Sequence, residues 1–293
     1  MTLDVEALRS HLDLALAEDH ARADVTAEAV VADPDRRATA DVIARASGTL
    51  AGLPLAAPIF RMLDPEAVVT LHYEDGEGVG ENAKILTVEG RARALLSAER
   101  TVLDFIGHLS GVATMTAAYV EAAMGTGVDI LDTRKTTPGW RALEKYAVTC
   151  GGGVNHRMHL EDAAMIKENH LYAAFGRTGP DAIREAAKRC RAALPEGRIL
   201  YVEVENLEEL EAAIEAGADV AMLDGFDLGL IRQAVKRVRE VPQPRPTLEI
   251  TGGVNLENVG AYAATGVTRI SIGRLTHSSP QLDVSMRVRG DAS

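Results

Sequence analysis

The chain reads as an α/β protein, a mixed N-terminal part followed by a parallel (β/α) barrel short of eight strands, and three observations carry that reading. From Val128 onward, short apolar runs alternate with amphipathic stretches, the pattern of strands joined by right-handed helical crossovers into a parallel sheet. The residues that close those runs are nearly all polar, charged or glycine, as the functional face of a barrel requires. Before Val128 strand-like runs and helices occur without that regular alternation.

In order along the chain, Val5, Leu8, Leu12 and Leu16 recur at helical spacing and predict an opening amphipathic helix, after which Asp24-Val25-Thr26 caps or turns the chain. Residues 38–46, 68–73 and 83–88 read as strands separated by glycine-rich or acidic turns such as Glu74-Asp75-Gly76-Glu77-Gly78. Two helical stretches, 92–109 and 112–124, lead into the second part. There the predicted strands are 128–132, 163–167, 199–205, 219–224, 247–251 and 268–273, and the predicted helices are 181–194, 207–216, 228–239 and 256–264. The run 283–289 alternates apolar and polar residues like an edge strand returning to the first domain. The expected division is therefore 1–110 with 275–293 as the N-terminal domain and 111–274 as the barrel.

Apolar residues make up 46% of the 293 and charged ones 25%, which suits a globular chain with a sizeable core. The formal charge of -12 repels nucleic acid over most of the surface, and aromatics at 4% form no stacking platform, so small anions in a local cleft are the better partners. No window approaches the roughly 18 uninterrupted apolar residues of a membrane span, and the first residues show no signal-peptide pattern. Cys150 and Cys190 are too few for a disulfide framework. These features lead to an expectation of a cytoplasmic protein with two buried thiols.

Against that negative background, residues 131–170 gather Arg134, Lys135, Arg141, Lys145, Arg157 and Lys167 with His156, in a glycine-rich stretch read as loop. Guanidinium forks and ammonium groups held this way capture carboxylates and phosphates. Further on, Thr251-Gly252-Gly253 is followed by Asn255, the expected N-cap of the next helix, and Gly273 closes the next strand. A Gly-Gly pair alone is an ordinary turn, but two such loops on the last strands of a barrel make a phosphate site. Glu203 and Asp224 fall on the ends of neighbouring strands and are either solvated acids or holders of ribose hydroxyls and Mg²⁺, which takes one or two carboxylates together with substrate phosphates. His156 and His159 are not spaced as zinc ligands. By spacing alone Arg100 is a surface residue pairing with Glu99 or Asp104.

Taken together, Asp132-Thr133-Arg134-Lys135-Thr136-Thr137-Pro138-Gly139, Gly151-Gly152-Gly153-Val154-Asn155-His156-Arg157-Met158 and Ile166-Lys167-Glu168-Asn169-His170 resemble the quinolinate phosphoribosyltransferases. Further matches at Leu50 to Pro54, Ala92 to Thr101, Leu109 to Thr114, Val202 to Asn206 and Leu275 to Ser278 extend the likeness over almost the whole chain. The resemblance implies a mixed α/β domain joined to an incomplete barrel, and a homodimer or larger assembly in which each N-terminal domain covers the partner's barrel mouth. It implies that quinolinate and phosphoribosyl pyrophosphate react, with Mg²⁺, to nicotinate mononucleotide, pyrophosphate and carbon dioxide. Carried over by position, Arg100 reaches the neighbouring subunit's quinolinate, while Arg134, His156, Arg157 and Lys167 line the dicarboxylate site. Lys135, Glu203 and Asp224 hold the phosphoribosyl and pyrophosphate groups with the metal, and Thr251, Gly252, Gly253 and Gly273 bind the 5′-phosphate.

Three positions depart from the pattern. Gly225 stands where the family commonly has Asn after Leu-Asp, Thr251 stands where it has Ser, and His20-Ala21-Arg22-Ala23 replaces a glycine-containing turn. Three other readings compete. A related barrel encoded beside molybdate transporters shares the Asp-Thr-Arg-Lys beginning but typically lacks the Asn-His-Arg and Ile-Lys-x-Asn-His sequences, both present here at 155–157 and 166–170. A phosphoribosyltransferase acting on nicotinate needs only one carboxylate clamp, and a non-catalytic phosphate-binding barrel would bind the donor without turnover.

Overall fold

The computed structural model describes residues 3–195 and 197–289; the ends of the predicted N- and C-terminal segments, 1–2 and 290–293, lie outside them. Twelve strands occur among the described residues: β1 Arg37–Ala44, β2 Gly48–Thr49, β3 Val68–Leu71, β4 Gly78–Val79, β5 Lys84–Arg91, β6 Asp129–Leu131, β7 Ala164–Ile166, β8 Leu200–Val204, β9 Val220–Asp224, β10 Thr247–Thr251, β11 Arg269–Ser271 and β12 Val284–Arg289. They form an antiparallel sheet in the order β12-β1-β5-β3, a parallel sheet in the order β6-β11-β10-β9-β8-β7, and the small pair β2-β4. Two compact units divide the chain. One comprises the chain up to Ala117, Ala142–Gly152 and the chain from Ser278; the other comprises Ala118–Arg141 and Gly153–His277.

In the first unit β1 buries Ala38, Ala40, Val42 and Ala44 on one face, the period of two that a half-buried strand requires. The expected return of the chain's last strand is present, since β12 pairs antiparallel with β1 through partners such as Ala40 and Val288. The opening helix Arg9–Glu18 buries Leu12 and Leu16, and the Asp24 carboxylate caps the next helix by accepting from the backbone of Thr26 and Ala27 at 3.0 and 2.9 Å. His20 sits at φ 49°, a left-handed conformation that a glycine adopts freely and a side chain adopts at a cost of roughly 1 kcal/mol. It falls where the family's glycine-containing turn is replaced.

The two helices expected at 92–109 and 112–124 are one, Ala92–Ala122. Its buried positions Leu95, Ala98, Val102, Phe105, Ile106, Leu109, Val112 and Ala113 keep one stripe through the expected break. Ser110 and Gly111 looked like a break because serine and glycine are weak helix formers, but each has a tertiary partner here. The Ser110 hydroxyl accepts from Ala51 N–H at 3.0 Å and donates to Ala51 O at 3.2 Å. A Cβ on residue 111 would lie 2.1 Å from the Pro280 carbonyl oxygen, so the glycine serves close approach.

The second unit follows the prediction strand by strand. Its six strands are all parallel, β7, β8, β9, β10, β11 and β6 in spatial order, and β6 and β7 end the row of an incomplete barrel, with a single bridge from Leu131 to Val154 on the outer side of β6. Helices Pro180–Ala193, Leu207–Glu215, Leu228–Glu240 and Val259–Ala263 fill the crossovers. Asn206 and Asp227 cap two of them by accepting from Glu209 N–H at 2.9 Å and Leu230 N–H at 2.8 Å. The last predicted helix is shorter than expected. Asn255 does not cap it but closes the preceding turn, accepting from Glu257 and Asn258 N–H, and the helix begins only at Val259. Helices Arg141–Cys150 and Glu168–Phe175 were unforeseen, as were Ala56–Leu63 in the first unit and Arg274–His277, so the stretch 131–170 is less loop-like than its glycines suggested.

Candidate active site

Strand alternation selects the site. Met165 and Lys167, Tyr201 and Glu203, Val220, Met222 and Asp224, Glu249 and Thr251, and Arg269 and Ser271 occupy alternate positions at the ends of five parallel strands, and residues two apart share a face. Deeper positions form an apolar floor of Ala163, Tyr201, Val220 and Met222 with Met165 packed on it. Above it a cavity of about 430 Å³ is lined by Thr133, Arg134, Lys135, His156, Arg157, Met165, Lys167, Glu203, Met222, Asp224, Thr251, Gly252 and Ser271. Four of these side chains are cationic and two anionic, so this recess is net positive within a chain of charge -12.

Three of the four cations have a visible tie to the scaffold or to an acid. Asp132, fully buried after β6, accepts from His156 N–H at 2.8 Å and from Asn155 Nδ2 at 2.6 Å, clamping the 155–157 loop to the strand end. Lys135 is held from both sides of its peptide, its N–H donating to Thr133 Oγ1 at 3.0 Å and its carbonyl accepting from Thr276 Oγ1 at 2.7 Å. A Cβ on Gly273 would come within 3.0 Å of Lys135 Cδ, so that glycine makes room for the lysine stem. Arg157 donates to Ala163 O at 2.8 Å and reaches Met165 Sδ at 3.5 Å. Lys167 is paired with Glu203.

The cations are not fully compensated. Arg134 Nε is buried without a hydrogen-bond partner, a state that costs about 1–3 kcal/mol or more for a charged group. Burial lowers the Arg157 pKa below its ordinary value and the like charge of Arg134 adds to the effect. The acids crowd as well: burial, and then the charges of Glu168, Glu209, Asp224 and Glu203, push the neighbouring Glu205 up. Gly252 and Gly253 both take left-handed φ, 79° and 62°, and a Cβ on Gly252 would lie 2.0 Å from Asp224 Oδ1, so only glycine lets this backbone pass beside the carboxylate. Gly225 sits at φ 70° with open space around a Cβ.

The structure therefore brings together Arg134, Lys135, His156, Arg157, Lys167, Glu203, Asp224, Thr251 and Gly252, with Gly253 and Gly273 adjoining. Arg100 belongs to the first unit and is not among the lining residues; its side chain is 64% exposed on the long helix and paired with Asp104 at 3.2 Å. Arg141 and Lys145, counted in the cationic cluster, do not line the cavity. Arg141 bonds Thr136 and Met158 from the start of its helix, and Lys145 is 0% exposed and belongs to the first unit. Glu249 was missed. It is 0% exposed below Thr251 and lies 3.4 Å from His156 Nε2 and 2.9 Å from Arg269 Nε. Burial alone would raise its carboxyl, but His156, Ser271 and Arg269 hold it below the ordinary value.

A sequence model of the quinolinate phosphoribosyl transferase N-terminal domain matches residues 24–110 and one of the C-terminal domain matches 112–287. The chain is 40% identical over 286 residues to the carboxylating nicotinate-nucleotide pyrophosphorylase of Mycobacterium leprae, covering 97% of this chain and 98% of that one. The probable enzyme of the same name from Bacillus subtilis is 40% identical, covering 98% and 94%. The solved nicotinate-nucleotide pyrophosphorylase of Francisella tularensis superposes with a TM-score of 0.86 at 38% identity over 98% of both chains. With both domains matched in order and the barrel fold shared, this chain belongs to the quinolinate phosphoribosyltransferase family.

Proposed function

We propose that the chain transfers the phosphoribosyl group of phosphoribosyl pyrophosphate to quinolinate, giving nicotinate mononucleotide, pyrophosphate and carbon dioxide for NAD synthesis. The observation that carries this is the convergence of Arg134, Lys135, Arg157 and Lys167 on one cavity that also holds Glu203 and Asp224. Quinolinate carries two carboxylates and the donor several phosphate charges, each monoester about -1.5 to -2, so neither reactant tolerates the other without fixed positive charge. Arg134, Arg157 and Lys167 take the dicarboxylate. Lys135 takes the pyrophosphate, and the Thr251 hydroxyl with the backbone of Gly252, Gly253 and Gly273 takes the 5′-phosphate. His156 adjoins the dicarboxylate.

The pyridine nitrogen forms a bond to the anomeric carbon as the bond to pyrophosphate breaks, and it supplies its own lone pair, so no general base is required. The nearby carboxylates steady the cation-like sugar. The ring, now a pyridinium, accepts the electron pair left when the adjacent carboxylate departs as carbon dioxide, and that carbon is then protonated. Positioning and preset charge are the catalytic terms.

Among the described residues no three His, Cys, Asp or Glu side chains are set to hold a metal. Two carboxylates in a cavity built for phosphates suit magnesium all the same, because that ion completes its shell with water and substrate oxygens. Glu203 and Asp224 would hold it, and it would neutralise the leaving pyrophosphate. Both cysteines are free, which suits the cytoplasm as the place of action.

The exposed Arg100 is read as serving the cavity of a second copy in a homodimer. Mixing Arg100→Ala chains with Lys135→Ala chains tests this. Recovery of about a quarter of wild-type activity is expected, since half the dimers are hybrids and each hybrid keeps one of two sites; no recovery refutes sharing. For the reaction itself, purified protein with quinolinate, phosphoribosyl pyrophosphate and magnesium should release carbon dioxide and nicotinate mononucleotide. Turnover of nicotinate instead, or donor binding without turnover, overturns the assignment.

A further inference from the structure

Below the cavity, the buried carboxylate of Glu249 has no part in the chemistry just described, yet its Oε1 lies 3.4 Å from His156 Nε2, an electrostatic contact rather than a hydrogen bond. His156 is 7% exposed and its ring stacks on Tyr201 at 4.7 Å between centroids. Its Nδ1 accepts the backbone N–H of Arg157 at 2.7 Å. A ring nitrogen that accepts a hydrogen bond carries no proton, which places the imidazole hydrogen on Nε2, the atom facing Glu249. The other Glu249 oxygen accepts from Arg269 Nε at 2.9 Å, and Arg269 also lies 6.0 Å from the Tyr201 ring. The carboxylate is thus held ionised from one side and turned toward His156 on the other.

We infer that Glu249 is a positioning residue for the dicarboxylate site: it keeps His156 as the Nε2-protonated imidazole, and Nδ1 of that ring in turn fixes the backbone of Arg157. His156 then borders the cavity with its ring but directs neither nitrogen to the substrate, which changes the role expected for it from ligand to spacer. Only one imidazole form does this. Protonation of Nδ1 would set two donors against each other at Arg157 N–H, and loss of the Glu249 carboxylate would remove the negative charge that faces Nε2 at 3.4 Å. The inference rests on the proposed reaction only for its kinetic arm.

Three measurements test it. In the intact wild-type protein, ring ¹⁵N spectra, with the His156 signals identified by their loss in His156→Asn, should show Nε2 protonated and Nδ1 not; a proton on Nδ1 at neutral pH overturns the inference, whether or not quinolinate is turned over. An asparagine at 156 retains an acceptor at the Nδ1 position and a glutamine retains a donor at the Nε2 position. His156→Asn should therefore raise the KM for quinolinate less than His156→Gln does, the two differing by roughly threefold or more; the reverse order would mean that Nε2 meets the substrate and would refute the spacer role. Glu249→Gln should raise the KM for quinolinate about fivefold and leave kcat and the KM for the ribose donor within about twofold. Equal losses on both substrates, or none, count against it. Absence of wild-type turnover would sink the proposed reaction and leave the spectra to decide the placement of the proton.

Discussion

Buried charge is handled in opposite ways in the two units. In the first, Asp41 is met by Lys84 at 3.3 Å, by Arg289 at 2.8 Å and by the Thr87 hydroxyl at 2.8 Å, and Asp64 by the Arg91 N–H and guanidinium at 2.8 and 3.1 Å. Burial would raise both carboxyls, yet these partners bring both below their ordinary values. In the barrel the cations outnumber their partners, Arg134 Nε is orphaned and Arg157 is perturbed by its neighbour. The difference teaches where evolution left electrostatic energy uncollected. A matched network is already satisfied, whereas an unmatched one is relieved by an anionic ligand.

The sharpest way to break that contrast is to remove the unmatched charge. Arg134→Met should lower kcat/KM for quinolinate about 100- to 1000-fold, the 3–4 kcal/mol typical of a lost buried charge contact. It should leave the melting temperature unchanged or slightly raised, because an unpaired buried polar atom disappears with it. A large fall in melting temperature would show that Arg134 is part of the structural frame after all.

Removing a matched charge should do the reverse. Asp64→Asn is expected to cost about 2 kcal/mol in urea unfolding, since it strips acceptors from Arg91 and Glu66, with activity kept within about twofold. The same network predicts the acid response. Asp24, Asp41 and Asp64 all have folded pKa values below their unfolded ones. The stability they add is therefore complete above about pH 4–5 and is lost as pH falls through the folded values. Asp64→Asn should flatten that acid loss. An unchanged pH profile would mean that this carboxyl contributes nothing there.

The smallest effect is expected at Arg100, whose pair with Asp104 is solvated on both sides. Arg100→Ala should change stability by less than about 0.5 kcal/mol while weakening quinolinate use in the assembled enzyme. A stability loss above that would make it a structural residue of the long helix.

Most of the barrel was legible because an inward-facing strand end announces itself twice, by an apolar run and by the polar residue that closes it, as at Asp224 and Thr251. Arg134, Lys135 and Lys167 were legible at strand ends too, whereas Arg157 stood out only through the local crowding of cations and the family's motif. What escaped the sequence depended on partners far along the chain. Gly111 looked like a helix break because the Pro280 carbonyl that requires it lies more than a hundred residues away. Lys145 looked like a site cation because nothing local marks it as buried. Glu249 left a faint signal, a lone carboxylate at the centre of the otherwise apolar run Leu248-Glu249-Ile250, and a charge there could have been read as a polar layer beneath the site.

The pairing of β1 with β12 joins residues about 250 positions apart, and this has a consequence for biosynthesis. On the ribosome, the strand that must cover one edge of β1 leaves the exit tunnel only after every barrel strand, so the N-terminal sheet waits with an open edge while the barrel strands emerge and can pair. Although translated before the barrel, the N-terminal sheet is completed after it, and termination short of β12 would leave β1 with a sticky margin.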